Sequence, residues 1–365
     1  MFLTIEKLFN DVNIVGAVIN RVMQTRKDAI YWKQYLDWRR TTTRVFKDYI
    51  GTVTGVMAGS INSQFGRKPI RERRNIGSGY GEIAYLGDAY QMSIDRLSEL
   101  QDLIDKYNAG ATAQQTSVLN EIVNFIYDDY RQILLAAHKR MDIVVGSLLM
   151  TGKANVKNRD NNPDGIDLLN IELPFKYITP EAAVKDTFIS YLQTTMNELR
   201  PEYGIFSKMI MSRATFVKNI VGSAELGEKF KMILGQREML VSANLVTSEL
   251  ASQVFTGIGL PAIEIKEDYV IDQQGKNVQI YADDRITLLQ QDRIGYMRFH
   301  TPYEVTDPIP GKTYSRTGDG DLLVAAARDD NGRYLEYTAE WIPQISDPNL
   351  MVNFDLSVMN EIEEG

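Results

Sequence analysis

The feature that most constrains this 365-residue chain is a long stretch of helical periodicity from Thr116 to Met150. Apolar residues recur there at steps of three and four, which places their side chains on one face of an α-helix. About 35 residues at 1.5 Å each predict a rod about 50 Å long. The apolar positions are Leu119, Ile122, Val123, Ile126, Tyr130, Ile133, Leu134, Ala137, Met141, Val144, Val145 and Leu148.

The end of this helix, GSLLMTGKA at residues 146–154, superficially looks like a phosphate-binding loop. That loop requires four residues between its glycines, a Ser or Thr after the lysine, and a preceding strand. Here five residues separate Gly146 from Gly152, Ala154 replaces the hydroxyl residue, and a helix precedes. Gly152 is instead placed to end the helix in a left-handed conformation, with Lys153 near the negative end of the helix dipole.

Composition excludes several classes of function. The chain has no cysteine, which excludes disulfides, thiolate metal sites and cysteine nucleophiles. Its two histidines, His138 and His300, are too few for a histidine-rich zinc site and leave little for acid-base catalysis. The formal net charge of −8 argues against general nucleic-acid binding. We therefore expect no catalytic residue, no cofactor and no metal ion.

Membrane insertion is not expected either. The longest uncharged apolar stretches, residues 12–20 and 143–152, fall far short of the roughly 20 residues that a spanning helix needs. Glu6 and Lys7 interrupt the apolar N-terminus, which argues against a signal peptide. We expect synthesis and folding in the cytoplasm.

The first 90 residues divide into two segments of different composition. Residues 1–47 interleave charged and aromatic residues, which predicts an N-terminal helical arm that lies on other surfaces and does not close a core of its own. Residues 48–90 are rich in glycine, basic residues and β-formers without helical period. They predict an extended hairpin or long loop, and loops of that length in compact domains are usually functional.

A cluster of basic residues lies within this loop. One interpretation is that this basic cluster docks onto an acidic surface of a neighbouring subunit. Arg–carboxylate pairs would then fix the register of the contact. A solvated basic loop and DNA binding are the alternatives. The basic residues are Arg67, Lys68, Arg71, Arg73 and Arg74, and with Glu72 they give a local charge of +4 (five basic minus one acidic).

The second half of the chain mixes helix and strand signals, which predicts an α+β fold. Two other motifs approach binding patterns without completing them: residues 160–172 lack the final Glu of a calcium loop, and the glycines of 77–87 follow no strand. The helices are predicted from Thr179 to before Pro201, from a Ser212 cap to Val221, and over 245–256. The strands are predicted at 206–211, 262–271, 322–328, 333–341 and 350–358, and the pair 322–328 and 333–341 forms a hairpin.

The order of these elements resembles the major capsid proteins of tailed bacteriophages, those with the Hong Kong 97 (HK97-type) fold. The chain is most similar to the group of the lambda major head protein, in which a spine helix ends in a motif close to LxTGK, as at residues 149–153 here. Segments resembling 208–221, 259–300 and 347–358 follow in the same order. The resemblance covers most of residues 116–358 in order and, more loosely, the first 115.

The resemblance implies an α+β, HK97-type capsid fold with five parts. A spine helix at 116–151 would lie within the first part of the peripheral domain, and the extended loop would lie over a neighbouring subunit. The implied parts are an N-terminal arm (1–47), an extended loop (48–90), a peripheral domain (91–204), an axial domain (205–305) and a return to the peripheral domain (306–365).

The resemblance also implies a function without catalysis. The chain would be a structural subunit of an icosahedral viral head, forming hexamers and pentamers that enclose double-stranded DNA without sequence-specific binding. Its partners would be further copies of itself, a scaffold protein, a portal and, in some members, a decoration protein, and its location would be the virion after assembly in the host cytoplasm. An encapsulin-type nanocompartment shell is the alternative.

A competing hypothesis is an α/β enzyme that binds phosphate through residues 146–154. That hypothesis predicts a nucleotide-dependent rise in melting temperature that Lys153→Ala abolishes. The shell interpretation predicts no response to nucleotide in either protein, because residues 146–151 belong to a helix. A thermal-shift titration with nucleotide decides between them, and a shift lost in Lys153→Ala would contradict the shell interpretation.

Overall fold

A computed structural model describes residues 2–25, 30–50, 77–154, 171–173, 175–234, 247–271, 275–329 and 332–360. The chain divides into two compact units that alternate along the sequence. Unit 1 comprises residues 1–46, 81–142 and 296–344, and unit 2 comprises residues 47–80, 143–295 and 345–365.

Helices and strands occur in mixed order along the chain, with a run of strands from β9 to β17 near its end. The helices are α1 (Ile5–Asn10), α2 (Val12–Thr25), α3 (Ile94–Ala109), α4 (Thr112–Thr151), α5 (Phe188–Tyr203), α6 (Arg213–Thr215), α7 (Ala224–Leu234), α8 (Ser248–Gly257) and α9 (Ser357–Asn360). The strands are β1 (Leu36–Arg40), β2 (Val45–Ile50), β3 (Gly77–Glu82), β4 (Ala84–Met92), β5 (Lys153–Ala154), β6 (Ile171–Glu172), β7 (Lys176–Ile178), β8 (Lys208–Ser212), β9 (Ala262–Lys266), β10 (Tyr269–Ile271), β11 (Asn277–Gln279), β12 (Arg285–Leu289), β13 (Gly295–His300), β14 (Thr313–Arg316), β15 (Leu323–Asp329), β16 (Gly332–Ile345) and β17 (Met351–Asp355).

The predicted long helix is present and unbroken. Helix α4 has 40 residues, which at 1.5 Å each make it about 60 Å long, and it begins slightly earlier than the sequence pattern indicated. Gly152 ends it as predicted, with φ +69° and its N–H donating to the carbonyl of Leu148 at 2.9 Å. The predicted apolar face is buried at Ile122, Ile126, Tyr130, Ile133, Leu134, Ala137, Met141, Val144, Val145 and Leu148, while Leu119 and Val123 are half-buried.

The sheet of unit 1 has the strand order β1-β13-β16-β15-β14, and β4 pairs with β16 as well. The predicted hairpin is confirmed as β15 and β16, which pair from Leu323↔Thr338 to Asp329↔Gly332. Residues 84–90 of the predicted extended loop belong to β4, which pairs with β16 along its whole length. The strand depends on this distant partner, since most of its own residues are exposed.

The N-terminal arm also differs from the expectation. Residues 1–47 were expected to lie on other surfaces, but their described part packs into the core of unit 1. Helix α2 places its apolar residues at positions i, i+3, i+4 and i+7, a full buried face. The buried side chains of the segment are Leu8, Phe9, Val15, Val18, Ile19, Val22, Ile30, Tyr31, Trp32, Tyr35 and Leu36.

Unit 2 is built on a five-stranded sheet in the order β7-β17-β12-β8-β9. Strand β8 is antiparallel to β12 and parallel to β9. The predicted cap is confirmed, because the side chain of Ser212 accepts a hydrogen bond from the backbone of Thr215, and the helix continues as a π-turn over Phe216–Val221. Residues of α5, α7 and α8 share one apolar core with the sheet.

Two helix predictions in unit 2 need correction. After Pro180 the chain forms a 3-10 helix, Ala182–Thr187, and α-helical geometry begins only at Phe188. Pro201 lies inside the last turn of α5, where it removes one hydrogen bond without breaking the turns before it. Helix α7 was not predicted at all.

The described ends of the extended loop pair with each other, since β2 and β3 form a two-stranded sheet. Residues 51–76, which include the five basic residues, lie outside the described part of the chain, as do residues 160–170 of the calcium-like motif. The division into arm, loop, peripheral and axial domains remains a prediction. Among the described helices, none combines the length and apolarity needed to span a bilayer.

Gly146 provides a test of how α4 packs in unit 2. A Cβ added there would lie 2.6 Å from both the carbonyl oxygen and Cγ2 of Ile280. We expect Gly146→Ala to lower the free energy of unfolding by about 1–3 kcal/mol, although alanine favours a helix. Gly16→Ala in α2 is the matched control, because its Cβ meets nothing within 4 Å and it should be neutral or stabilising by about 0.5–1 kcal/mol. Denaturant titration measures both, and an unchanged Gly146→Ala protein would contradict this packing.

Candidate functional site

The sequence motifs that imitate binding loops form no site in the described residues. Gly146 lies in α4 with Ile280 against it, so no space for a phosphate exists there. Within the described ranges, no group of three or more His, Asp or Glu residues is arranged to hold a metal ion. The basic residues predicted to contact other subunits lie in 51–76, outside those ranges. The notable polar sites are instead buried clusters that fix individual chain segments.

The first cluster fixes residues 30–40 in unit 1 and contains all three tryptophans of the chain. The ring centroids of Trp32 and Trp38 are 4.7 Å apart, and those of Trp38 and Trp341 are 4.9 Å apart. His138 of α4 lies 4.8 Å from Trp341 and stacks on Trp32 at 5.8 Å. Aromatic pairs of this kind contribute about 0.5–1.5 kcal/mol each beyond their burial. We call these four residues the tryptophan cluster.

The carboxylate of Asp319 lies beside the tryptophan cluster. It accepts hydrogen bonds from Nε1 of Trp38 at 2.6 Å and from Nζ of Lys33, and its Oδ2 is 3.3 Å from Nε2 of His138. Gly320 follows with φ +65°, and a Cβ there would lie 2.3 Å from the ring of Trp38. The loop can therefore approach the tryptophan cluster this closely only with glycine at position 320.

Charges in this site are set by burial and by close partners. Burial alone would raise the pKa of Asp319, but the polar contact with Nε2 of His138 and the hydrogen bond and positive charge of Lys33 lower it well below the ordinary value. Burial lowers the pKa of His138, and Lys33 and Lys139 lower it further against the opposing effect of Asp319. At neutral pH the site therefore holds a neutral imidazole and an ionised carboxylate.

A second carboxylate attaches the same chain segment to α4. Asp142 is fully buried, and its Oδ1 accepts the backbone N–H of Trp32 at 2.9 Å. Its Oδ2 is 3.0 Å from Nζ of Lys139, one turn earlier on the helix. The buried charge is thus neutralised by its own helix while it holds the backbone of the arm segment.

A third cluster lies where the extended loop leaves unit 1. Glu340 of β16 is buried, and Arg44, which directly precedes β2, binds both of its oxygens at 2.8 and 3.1 Å. Nδ1 of His300 is 2.7 Å from the same carboxylate. The carbonyl of Arg44 accepts the N–H of Ile83, the residue between β3 and β4. We call Arg44, Glu340 and His300 the loop-root clamp.

Unit 2 contains a buried polar cluster of its own. The side-chain amides of Asn219 and Asn360 bond to each other at 2.9 and 3.2 Å. Asn360 also donates to Asp284 at 2.5 Å, and Asp284 has the unusual φ of +57°. The π-turn that carries Asn219 therefore attaches α9 to the rest of unit 2.

These clusters show what the sequence could and could not indicate. His138 is fully buried. The side chain of His300 is partly exposed beside Glu340. Asp319 and Glu340 were not singled out, although Glu340 stands among apolar residues in the sequence TAEWI, where a charge requires a partner.

Comparison with solved structures gives the fold. A protein assigned as a prophage capsid protein in E. coli CFT073 is 13% identical, covers 94% of this chain and 98% of its own, and has a TM-score of 0.57. A phage-related protein from Bordetella bronchiseptica RB50 is 8% identical, with coverages of 95% and 98% and a TM-score of 0.50. The satellite phage P4 procapsid structure has 11% identity, coverages of 93% and 90% and a TM-score of 0.43.

The first two likenesses show that this chain has the fold of these phage-related proteins, so the resemblance expected from the sequence is confirmed at the level of fold. No protein-family model matches the sequence, and no curated protein matches it significantly.

The buried histidine makes stability depend on pH in a defined direction. Because the pKa of His138 is lowered on folding from the ordinary 6.5, the unfolded chain binds more protons below that pH and stability falls as pH decreases. Asp319 contributes only at more acidic pH, since its lowered pKa gives stability that is lost below the ordinary 3.8. We expect wild type to lose on the order of 1 kcal/mol more than His138→Phe between about pH 7 and pH 5.

Denaturant titrations at both pH values, followed by tryptophan fluorescence, measure this difference. The three tryptophans all report on the same site. Equal losses in wild type and His138→Phe would contradict a neutral buried imidazole.

Proposed function

We propose that this protein is a structural subunit of a phage-type capsid shell. The observation that carries the proposal is the shared fold, which extends over 94% of this chain and 98% of the protein assigned as a prophage capsid protein. Nearly complete coverage of both chains argues that the whole subunit is comparable, beyond a common domain. The proposed role is structural, without catalysis, and the site of action is the virion.

The physical properties of the chain suit that role. A shell is stabilised by many modest contacts repeated over identical subunits. Each subunit therefore needs elements that keep the same conformation in every copy. Helix α4 is 40 residues long without a break, and buried charges hold the arm segment and the root of the extended loop. Stiff elements of this kind allow surface contacts to be repeated in register.

We further propose the HK97-type arrangement of parts. The arm would be residues 1–47, the extended loop 48–90, the peripheral domain 91–204 with 306–365, and the axial domain 205–305. The pairing of β2 with β3 supports an extended hairpin at the two ends of the loop. The arm would act from within its own subunit, given its burial in unit 1.

The loop would dock its basic residues on an acidic surface of a neighbouring copy. Unit 1 offers such a surface on α3 and the first half of α4, where Arg96 is already paired with Asp129 at 2.9 Å. Complementary charges of this kind fix register and speed association. The exposed carboxylates are Asp95, Glu99, Asp102, Asp105, Glu121 and Asp128.

The proposed partners are further copies in hexamers and pentamers, a scaffold protein, a portal and, in some members, a decoration protein. Double-stranded DNA would be enclosed without sequence-specific contacts, which suits a chain of net charge −8. An encapsulin-type shell is the second candidate on fold alone. Neighbouring portal and terminase genes support the viral role, and a neighbouring cargo-enzyme gene supports the other.

Negative-stain microscopy and sedimentation of the purified protein, with and without its scaffold protein, test the proposal. Closed shells of uniform size are the expected result. A protein that remains monomeric at every concentration under both conditions would contradict it.

The basic loop residues give a sharper test of assembly. We expect Arg71→Glu with Arg73→Glu to reduce shell yield at least tenfold, because the pairs with a neighbour's carboxylates become repulsive. The melting temperature should stay that of wild type. The matched control is Lys176→Glu with Lys185→Glu, which changes the charge equally at two exposed positions of unit 2.

Restoration of yield by Glu99→Lys with Asp102→Lys in the same chain would identify the acidic surface as the receiver. Normal shells from the Arg71→Glu with Arg73→Glu protein would remove this role from the loop.

A further inference from the structure

The loop-root clamp differs from a surface ion pair in the burial of its carboxylate and in its two Arg–carboxylate hydrogen bonds. Glu340 is 1% exposed, whereas half of the Arg44 side chain is exposed. A buried carboxylate is stable only with well-formed partners, and a two-bond Arg–carboxylate pair fixes orientation as well as distance. The half-exposed side chain of Arg44 is therefore held by a buried carboxylate.

The clamp also controls both ends of the extended loop. Arg44 immediately precedes β2, and its carbonyl accepts the N–H of Ile83, which directly follows β3, at 2.9 Å. Ile83 is itself buried. The next strand continues the attachment, because Tyr85 lies directly opposite Glu340 in the register of β4 and β16. The outgoing and returning chains thus meet at one buried carboxylate.

We infer that Arg44 and Glu340 are positioning residues for assembly, which set the place where the extended loop leaves its subunit. This rests on the proposed shell function. Before the clamp, the N–H of Thr41 donates to the carbonyl of Phe299 in β13 at 2.9 Å, so the chain reaches Arg44 from a fixed point on the same sheet. His300 of β13 is the third member of the clamp, with its Nδ1 2.7 Å from the carboxylate of Glu340.

An internal control exists on the same strand. Glu336 of β16 forms an ion pair with Lys312, and both side chains are a quarter exposed. Glu336 lies on the same strand as Glu340, but its partner Lys312 belongs to the segment before β14 and not to the extended loop. Its loss should leave assembly unchanged.

The test uses the full chain in four variants. Arg44→Met with Glu340→Gln removes the clamp without leaving a buried charge unpaired, so the subunit should remain folded. Arg44→Lys keeps the charge but loses the two-bond geometry. Lys312→Met with Glu336→Gln is the matched control. Glu340→Gln alone shows whether the charge of the carboxylate matters. Shell yield, melting temperature and amide hydrogen exchange are measured for each.

We expect the Arg44→Met with Glu340→Gln protein to lose at least tenfold in shell yield, with Arg44→Lys and Glu340→Gln in between and the control unchanged. Amides of residues 45–50 and 77–83 should exchange at least tenfold faster, while those of β15 keep their protection. Wild-type exchange in these segments, or wild-type yield in the clamp variant, would overturn the inference. If wild type itself forms no shell, the proposed function fails, and the exchange result alone decides whether the clamp exists.

Discussion

Both compact units of this protein contain part of one uninterrupted helix, and this constraint governs the rest of the structure. Residues of α4 up to Asp142 belong to unit 1 and those from Ile143 belong to unit 2. Neither core is complete without its part of α4, because buried side chains follow the helix from Ile122 to Leu149. A chain organised in this way cannot rearrange one helix turn without disturbing a core, which would suit the proposed role of a subunit that presents the same surfaces in every copy.

Buried carboxylates fix chain segments that α4 alone does not hold in place. Asp142 holds the backbone of Trp32, Asp319 joins the tryptophan cluster to the chain after β14, and Glu340 holds the root of the extended loop. Buried ion pairs contribute little net stability compared with apolar packing, but breaking one partner is costly. Their value here is placement, since each fixes one chain segment at a single position.

The sequence predicted the elements that depend on local pattern. Helix α4, its end at Gly152, the Ser212 cap and the hairpin of β15 and β16 follow from periodicity and turn residues. It did not predict β4, which is held in place by pairing with β16 about 250 residues away in the sequence. It also did not predict that α2 packs in its own unit. The buried carboxylate sites were not predicted for the same reason, because a partner that is distant in sequence leaves no local pattern. The basic loop could be recognised from composition, but its contacts are a property of a second copy.

Electron cryo-microscopy of the assembled particle tests the central claim most directly. The account predicts a closed shell in which every subunit shows one continuous rod of density for residues 112–151, with the arm packed on its own subunit. A subunit density with this helix broken, or a purified protein that forms no shell under any assembly condition, would contradict the account.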